Sequence, residues 1–209
     1  MSRKVFITVA EVSGDQHAAH LIRNLRELDP TLVIEGHGGP HMAAAGAAIH
    51  YETTQHAAMA SQAFRRIGEM LRLFRWTKRY FTQNKPDLLI CVDSPAMNFH
   101  FAKIAHERGI PVLYYIAPQL WAWREGRMTK LQKWVDHVAC ILPFEEAYFR
   151  RHGVQATFVG HPLFDQLPPE RSPASGPRFP ERAPVIGLLP GSRQTEAAAN
   201  FPHLLDVAG

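Results

Sequence analysis

Four groups of polar residues follow apolar runs of this sequence and could carry chemistry. They are Glu11, Ser13 and Asp15; Asp93 and Asn98; Gln119, Trp121, Trp123 and Arg124; and Ser192 and Arg193. A carboxylate at the end of a buried strand is partly removed from water, which raises its pKa and makes it a better base toward a hydroxyl group. Asp93 ends the run DLLICVD and is therefore the candidate base, with capping of the following helix as the alternative.

The other groups suit a ligand that carries phosphate, sugar or acyl groups. Backbone N–H groups of Ser13 and its neighbours could bind an anion at a helix N-terminus, although Ser13 and Asp15 could instead cap that helix. If the chain is extended there, Trp121 and Trp123 form a flat wall beside Arg124, whose guanidinium matches phosphate. The alternative is a tryptophan pair in the core. Neither GxGxxG nor GxxxxGK[ST] occurs, which argues against a dinucleotide site and a P-loop.

Composition points to a globular protein with an anionic partner. The chain has 209 residues, 46% of them hydrophobic, and a net charge of +4. Its 12 histidines are scattered without metal-binding spacing, and Cys91 and Cys140 lie in apolar runs that predict buried free thiols. No run resembles a signal peptide or reaches the length of a membrane span, so we expect a cytoplasmic protein.

Alternating strand and helix patterns predict an α/β fold with parallel strands. Predicted strands begin at Lys4, Leu32, Asp87, Pro111, His137 and Ala156, and predicted helices begin at His17, Phe64, Phe99, Met128 and Glu145. This succession indicates a doubly wound sheet over residues 1–160. Residues 161–184 are rich in proline and predict a linker. Residues 185–209 then predict the first strand and helix of a second domain that continues beyond this chain.

The long predicted helix that starts at Phe64 has an apolar stripe with basic flanks. The stripe is Phe64, Ile67, Leu71 and Phe74, and the flanks are Arg65, Arg66, Arg72, Arg75, Lys78 and Arg79. Such a helix over residues 64–79 could lie on an anionic membrane surface. It could equally be an ordinary helix that packs on the sheet.

Seven motifs together resemble one family. In chain order they are AEVSGD, GGPHM, KPDLLICVDSP, APQLWAWR, LPFE, VGHPL and LLPGSR. They resemble the bacterial lipid-A-disaccharide synthases, which are inverting glycosyltransferases of the two-domain GT-B architecture. The resemblance implies that residues 1–160 are a Rossmann-like acceptor-binding domain and that residues 185–209 begin the domain that binds the nucleotide sugar.

The resemblance also implies a reaction. UDP-2,3-diacylglucosamine would be the donor and 2,3-diacylglucosamine 1-phosphate the acceptor, with release of UDP. Asp93 would be the general base, Glu11 would line the acceptor or sugar site, and Ser192 and Arg193 would meet the UDP phosphates. No metal or cofactor is expected, because cationic side chains and helix ends can neutralise the leaving diphosphate. The family further implies peripheral association with the inner membrane and a homodimer of the full-length protein.

Three residues depart from the family pattern, namely Ala10, Ala60 and Ala96. Each adds a methyl group or removes a charge near the expected cleft, so specificity or activity could differ. The alternative function is a non-catalytic lipid- or sugar-binding remnant of such an enzyme. Nucleic-acid binding is the weakest hypothesis, because the basic helix has no recognisable nucleic-acid motif.

Overall fold

A computed structural model describes residues 2–54, 63–122, 125–166, 185–191 and 194–208. The chain divides into two compact units, Met1–Gln166 and Leu167–Gly209. The first unit holds the sheet and the candidate active site.

Within the described residues, seven strands form one sheet whose paired neighbours are all parallel. The strands are β1 Lys4–Thr8, β2 Val33–Gly38, β3 Ala48–Glu52, β4 Leu88–Val92, β5 Val112–Tyr115, β6 His137–Cys140 and β7 Ala156–Phe158. Helices connect them, as parallel neighbours require. The helices of this unit are α1 Val12–Leu28, α2 Pro40–Ala44, α3 Ala63–Gln83, α4 Pro95–His106, α5 Met128–Trp134 and α6 Pro143–Arg151.

The strand order is β3-β2-β1-β4-β5-β6-β7. The chain builds outward from β1 to β3 and then returns to place β4 on the other side of β1. The order therefore reverses between β1 and β4, and ligands of open α/β sheets bind outside the carboxyl ends of the strands at such a point. The arrangement confirms the predicted doubly wound, Rossmann-like α/β fold.

Both faces of the sheet are buried because side chains alternate along each strand. On one face Phe6 and Leu89 pack with residues of α3 and α4, and on the other Ile7 and Ile90 pack with residues of α1 and α2. The two cysteines are free and buried, as predicted. This double-sided core fixes the carboxyl ends of β1, β4 and β5 relative to one another.

The structure differs from the sequence prediction most at β3 and at the start of α1, and α4 and α6 also begin earlier than predicted, at Pro95 and Pro143. The edge strand β3 was not predicted, because its short sequence AIHYE has no run of apolar residues and none of its residues is buried. Helix α1 begins at Val12 rather than at His17. The segment VSGD has turn-forming residues, but a tertiary contact of Asp15 with α2 stabilises it as the first helical turn.

In the second unit, the described residues are 185–191 and α7, which is Gln194–Ala208. The predicted helix is present, but residues 185–191 do not form the predicted strand. A strand needs neighbours that accept its backbone hydrogen bonds, and the described residues of this unit contain no such neighbour. No helix among the described residues of the chain is long and apolar enough to span a membrane.

Candidate active site

A cavity of about 430 Å³ lies at the carboxyl ends of β4, β5 and β6. Asp93 follows β4, and the loop 116–120 follows β5. The remaining walls come from the turn before α5 and from the β6–α6 connection. The described lining residues are Asp93, Pro95, Ile116, Ala117, Pro118, Gln119, Leu120, Arg127, Ile141 and Glu145. The cavity therefore lies outside the carboxyl ends of the strands, where open α/β sheets bind ligands, and beside the β1–β4 reversal rather than directly over it.

Side chains of α4 and β5 form hydrogen bonds with the backbone of Asp93, and a side chain of β1 supports them. Its carbonyl oxygen accepts from Nδ2 of Asn98 at 2.7 Å and from the hydroxyl of Tyr114 at 2.7 Å. Nδ2 of Asn98 also donates to the carbonyl of Val92 at 2.8 Å, and Thr8 donates to Oδ1 of Asn98 at 2.8 Å. The side chains of Thr8, Asn98 and Tyr114 are fully buried. The network joins β1, β5 and α4 at the residue predicted to be the base.

The backbone around the cavity adopts unusual conformations. Asp93, Ser94 and Ile116 have φ angles of 50°, 39° and 59°, in the left-handed region that residues other than glycine seldom occupy. For the β-branched Ile116 this conformation is a marked outlier. Each such residue costs about 1–3 kcal/mol, and such residues concentrate at functional sites. Asp93 and Ile116 line the cavity, so the strained backbone lies in the cavity wall.

Burial raises the pKa of the Asp93 carboxyl group above its usual 3.8, and a hydrogen bond from the backbone of Ser94 opposes the shift. The raised pKa has the direction and the cause that the sequence predicts. The alternative of helix capping is not observed, because the N-cap of α4 is Ser94 and no side chain caps that helix. Asp93 lines the cavity, where its carboxylate can accept a proton from a ligand.

Two lining residues were absent from the candidates that the sequence identified. Arg127 precedes α5 and is half-buried, and it forms no ion pair within the part of the chain that the structure describes. Glu145 lies in the first turn of α6 and is only 1% exposed. LPFE is a motif of the sequence, but only the assembled fold places its glutamate in the wall of the cavity. The spacing WAWREGR could have pointed to Arg127 as a second cation after the tryptophans.

The loop after β5 differs from the expected extended wall. The backbone N–H of Ala122 donates to the carbonyl of Gln119 at 3.1 Å, so Leu120–Ala122 form a turn and strand alternation does not apply there. Trp121 is 40% exposed, which is inconsistent with a core tryptophan pair. Its Nε1–H donates to Oε1 of Glu145 at 3.1 Å. Gln119 lines the cavity directly.

The residues after β1 divide into exposed and buried ones. Glu11 and Ser13 are exposed at the carboxyl end of β1, next to β4. Asp15 is fully buried, and its carboxylate accepts N–H groups of Gly39 at 2.9 Å, His41 at 2.9 Å and Met42 at 3.1 Å. It thus caps α2 rather than its own helix.

The burial of Asp15 and Asn98 bears on their predicted role in substrate binding. Asp15 is bonded to α2, and Asn98 is bonded to the backbone on either side of Asp93. Because both side chains are fully buried, the geometry favours positioning of the site over direct contact with a ligand.

Four predicted site residues, Trp123, Arg124, Ser192 and Arg193, lie outside the described residues, as does the departure at Ala60. Ala96 is exposed in the first turn of α4, close to Asp93 in sequence. Among the described residues, no three His, Cys, Asp or Glu side chains come together as a group that could hold a metal ion.

The fold and the site define a class of protein: a Rossmann-like α/β chain with a carboxylate and an arginine lining a cavity outside the carboxyl ends of its strands. Residues 5–209 match the model of the lipid-A-disaccharide synthetase family. The chain therefore belongs to that family.

Curated relatives agree with this assignment. The chain is 41% identical to the lipid-A-disaccharide synthase of Geobacter metallireducens over 99% of its own length and 55% of the relative's. It is 37% identical to the corresponding protein of Myxococcus xanthus, over 98% of its own length and 55% of the relative's. The chain thus spans about half the length of the curated relatives it matches.

Solved structures resemble the chain in fold. A UDP-GlcNAc 2-epimerase from Neisseria meningitidis, solved with UDP-GlcNAc bound, matches with a TM-score of 0.55 at 10% identity, over 79% of this chain and 47% of that one. The UDP-GlcNAc 2-epimerase of Methanocaldococcus jannaschii matches with a TM-score of 0.52 at 13% identity, over 79% of this chain and 47% of that one. At such low identity the likeness concerns the fold alone.

Proposed function

We propose that this chain is the acceptor-binding part of a hexosyltransferase that makes lipid A disaccharide. The donor is UDP-2,3-diacylglucosamine, the acceptor is 2,3-diacylglucosamine 1-phosphate, and UDP is released. Family membership supports the reaction. One structural observation supports placing this reaction at the cavity. The carboxylate of Asp93 lines a cavity at the carboxyl ends of the strands, with a raised pKa.

In the proposed mechanism Asp93 removes the proton from the 6-hydroxyl of the acceptor. The hydroxyl oxygen attacks the anomeric carbon of the donor as the bond from that carbon to the UDP oxygen breaks. Attack from the face opposite UDP inverts the anomeric centre and gives a β-1,6 linkage. The fixed backbone of Asp93 supports this role, because a base must be held in line with its hydroxyl group.

We further propose that the donor is a UDP-sugar held mainly by a second domain. Residues 185–209 would begin that domain, residues 161–184 would link it to the acceptor domain of residues 1–160, and Ser192 and Arg193 would contact the diphosphate. The UDP-GlcNAc bound to the Neisseria protein of similar fold is consistent with this donor class. The proposed substrate contacts remain Glu11, Ser13, Gln119, Trp121, Trp123 and Arg124, with Glu11 lining the acceptor or sugar site. Homodimerisation of the full-length protein remains a prediction.

Helix α3 supports a proposed peripheral association with the inner membrane, on its cytoplasmic side. Ile67 and Leu71 are 50% and 51% exposed and lie one turn apart. Exposed basic side chains accompany them, namely Arg72, Arg75, Lys78 and Arg79. Phe74 instead packs against His100 and Phe101, so it belongs to the core and not to the exposed stripe. The side chains of residues 64–66 lie outside the described part.

Substitution of Asp93 tests the proposed function in the complete gene product. Asp93→Asn keeps the size of the side chain and removes the base, so turnover of the two lipid substrates should fall by about 10²–10⁴-fold. UDP release and disaccharide formation are measured together.

Asp87→Asn is the matched control for that experiment. Asp87 lies just before the amino end of the same strand, β4, where its carboxylate accepts the N–H of Lys4 at 2.7 Å. This variant should keep normal turnover. Near-normal turnover of Asp93→Asn would exclude Asp93 as the base, and absence of transfer by the wild-type product would exclude the proposed reaction.

A further inference from the structure

Glu145 is a buried carboxylate in the wall of the cavity that also contains Asp93. Its Oε2 accepts the backbone N–H groups of Ile141 at 3.1 Å and Leu142 at 3.0 Å, just before α6. Its Oε1 accepts the indole N–H of Trp121 at 3.1 Å. Three N–H groups therefore converge on one carboxylate, which can be buried because its oxygens are hydrogen-bonded.

The indole of Trp121 is held from two directions. Its N–H is bonded to Glu145, and its ring meets the ring of Phe144 edge-on, with centroids 5.0 Å apart and planes at 81°. The side chain nevertheless stays 40% exposed, directly after the cavity residues Gln119 and Leu120. A large aromatic surface that is both fixed and exposed is suited to packing against a sugar ring.

We propose that Glu145 is a positioning residue that holds the indole of Trp121 at the rim of the cavity. There the indole packs on the sugar ring of the acceptor glycolipid and orients its hydroxyl group toward Asp93. This inference rests on the proposed function and adds to it the residue that fixes the acceptor wall.

A carboxylate is needed at position 145 because both of its oxygens accept hydrogen bonds. A glutamine would direct its NH₂ group either at the indole N–H or at the N–H groups of Ile141 and Leu142. In both orientations two donors would face each other. Either the bond to the indole of Trp121 or the bonds to the backbone of Ile141 and Leu142 would be lost.

The test uses the complete gene product with Glu145→Gln, Trp121→Phe and the double variant. Trp121→Phe removes the indole donor, and Glu145→Gln removes an acceptor from the group that holds the indole. For each variant the KM for the acceptor should rise about tenfold with little change in the KM for the donor. The double variant should be no worse than the more impaired single variant, because residues that act through one contact are not additive. Trp121→Phe leaves the bonds of Glu145 with the N–H groups of Ile141 and Leu142 intact, and so separates positioning of the indole from capping of α6.

Glu146→Gln is the matched control on the same turn of α6. Glu146 accepts the N–H of Phe158 at 2.8 Å and pairs with Arg150 at 2.9 Å, away from the described lining of the cavity. Its acceptor KM should match the wild type. Additive effects of the two site substitutions, or equal losses for donor and acceptor, would overturn the proposal.

A second measurement does not depend on turnover. The emission of Trp121 is obtained as the difference between matched proteins with Trp and with Phe at position 121. Quenching of this emission by acrylamide should increase in Glu145→Gln. Unchanged quenching would mean that Glu145 does not hold the indole. If the wild type transfers no sugar, the proposed function fails, while quenching still decides whether Glu145 fixes Trp121.

Discussion

Arg127 contributes a positive charge to a cavity that also contains two carboxylates. Glu145 accepts hydrogen bonds from three N–H groups. In the proposed mechanism Asp93 accepts the proton of the acceptor hydroxyl group. The guanidinium of Arg127 has no ion-pair partner within the described part of the chain. A half-buried guanidinium without a counter-ion is suited to a phosphate, which it can bind through two parallel hydrogen bonds.

We expect Arg127 to bind the 1-phosphate of the acceptor. Arg127→Met should raise the KM for the acceptor about 10- to 100-fold, which is the range for a lost charge-assisted hydrogen bond. Arg127→Lys should have a smaller effect, because it keeps the charge but loses the planar geometry. Steady-state kinetics with each substrate varied in turn measures both values. Arg23→Met, an exposed arginine of α1, is the control.

The ligand can be altered as well as the protein. With an acceptor that lacks the 1-phosphate, wild type and Arg127→Met should behave alike. A defect that persists with this acceptor would refute the assignment, and a rise in the donor KM instead would assign Arg127 to the diphosphate.

At the scale of elements, helix α3 has one face that packs in the core and another that is exposed to solvent. Leu73 and Thr77 face the core and are buried, whereas Ile67 and Leu71 face solvent one turn apart. An exposed apolar pair on a basic helix is more than packing against the sheet requires, and it matches the pattern of helices that lie in a membrane interface.

Substitution of the exposed pair tests the membrane role of α3. Ile67→Ser with Leu71→Ser should abolish or strongly reduce flotation with anionic vesicles at low salt, because the apolar contact with the lipid is removed. Leu28→Ser, which changes an 84% exposed leucine at the end of α1, should float like the wild type. Equal flotation of all three proteins would exclude the pair, and no flotation of the wild type would exclude the membrane surface itself.

The sequence predicted elements best where the pattern was long or strongly apolar. Helix α3 and the central strand β4 agree with their predictions because burial on one or both faces imposes a clear periodicity. The edge strand β3 was not predicted because its five residues contain no run of apolar residues. The contact of Trp121 with Glu145 and the contact of Asp15 with α2 join residues distant in sequence, which local patterns do not report.

The candidate site was predicted in part. Asp93 was identified because its position at a strand end depends only on the order of apolar and polar residues. Glu145 and Arg127 were missed as cavity residues because they enter from helical segments whose approach to the sheet is a property of the assembled fold. The roles of Asp15 and Asn98 likewise became apparent only from their burial.

At the scale of the whole molecule, one buried histidine links stability to pH. His37 of β2 is fully buried, and its Nε2 lies 2.8 Å from the hydroxyl of Thr77 in α3. Burial, with a smaller contribution from nearby His50, lowers its pKa from 6.5 to about 3. Below pH 6.5 the unfolded chain therefore binds a proton at this position that the folded chain does not.

Because the folded-state pKa is the lower one, the contribution of His37 to stability is present above pH 6.5 and is lost as the pH falls toward 3. We expect the free energy of unfolding to decrease by up to about 1.4 kcal/mol per pH unit from this residue. His37→Asn should have a shallower pH dependence in urea titrations, while the exposed His106→Gln should retain the wild-type slope. Parallel slopes for His37→Asn and the wild type would show that another group is responsible.

The left-handed backbone at Asp93 and Ser94 has an evolutionary consequence. Asparagine and glycine occupy this conformation at least as readily as aspartate does, so a mutation that abolishes the base need not damage the fold. A lineage could thus lose catalysis by a single codon change and keep an intact, ligand-holding cavity.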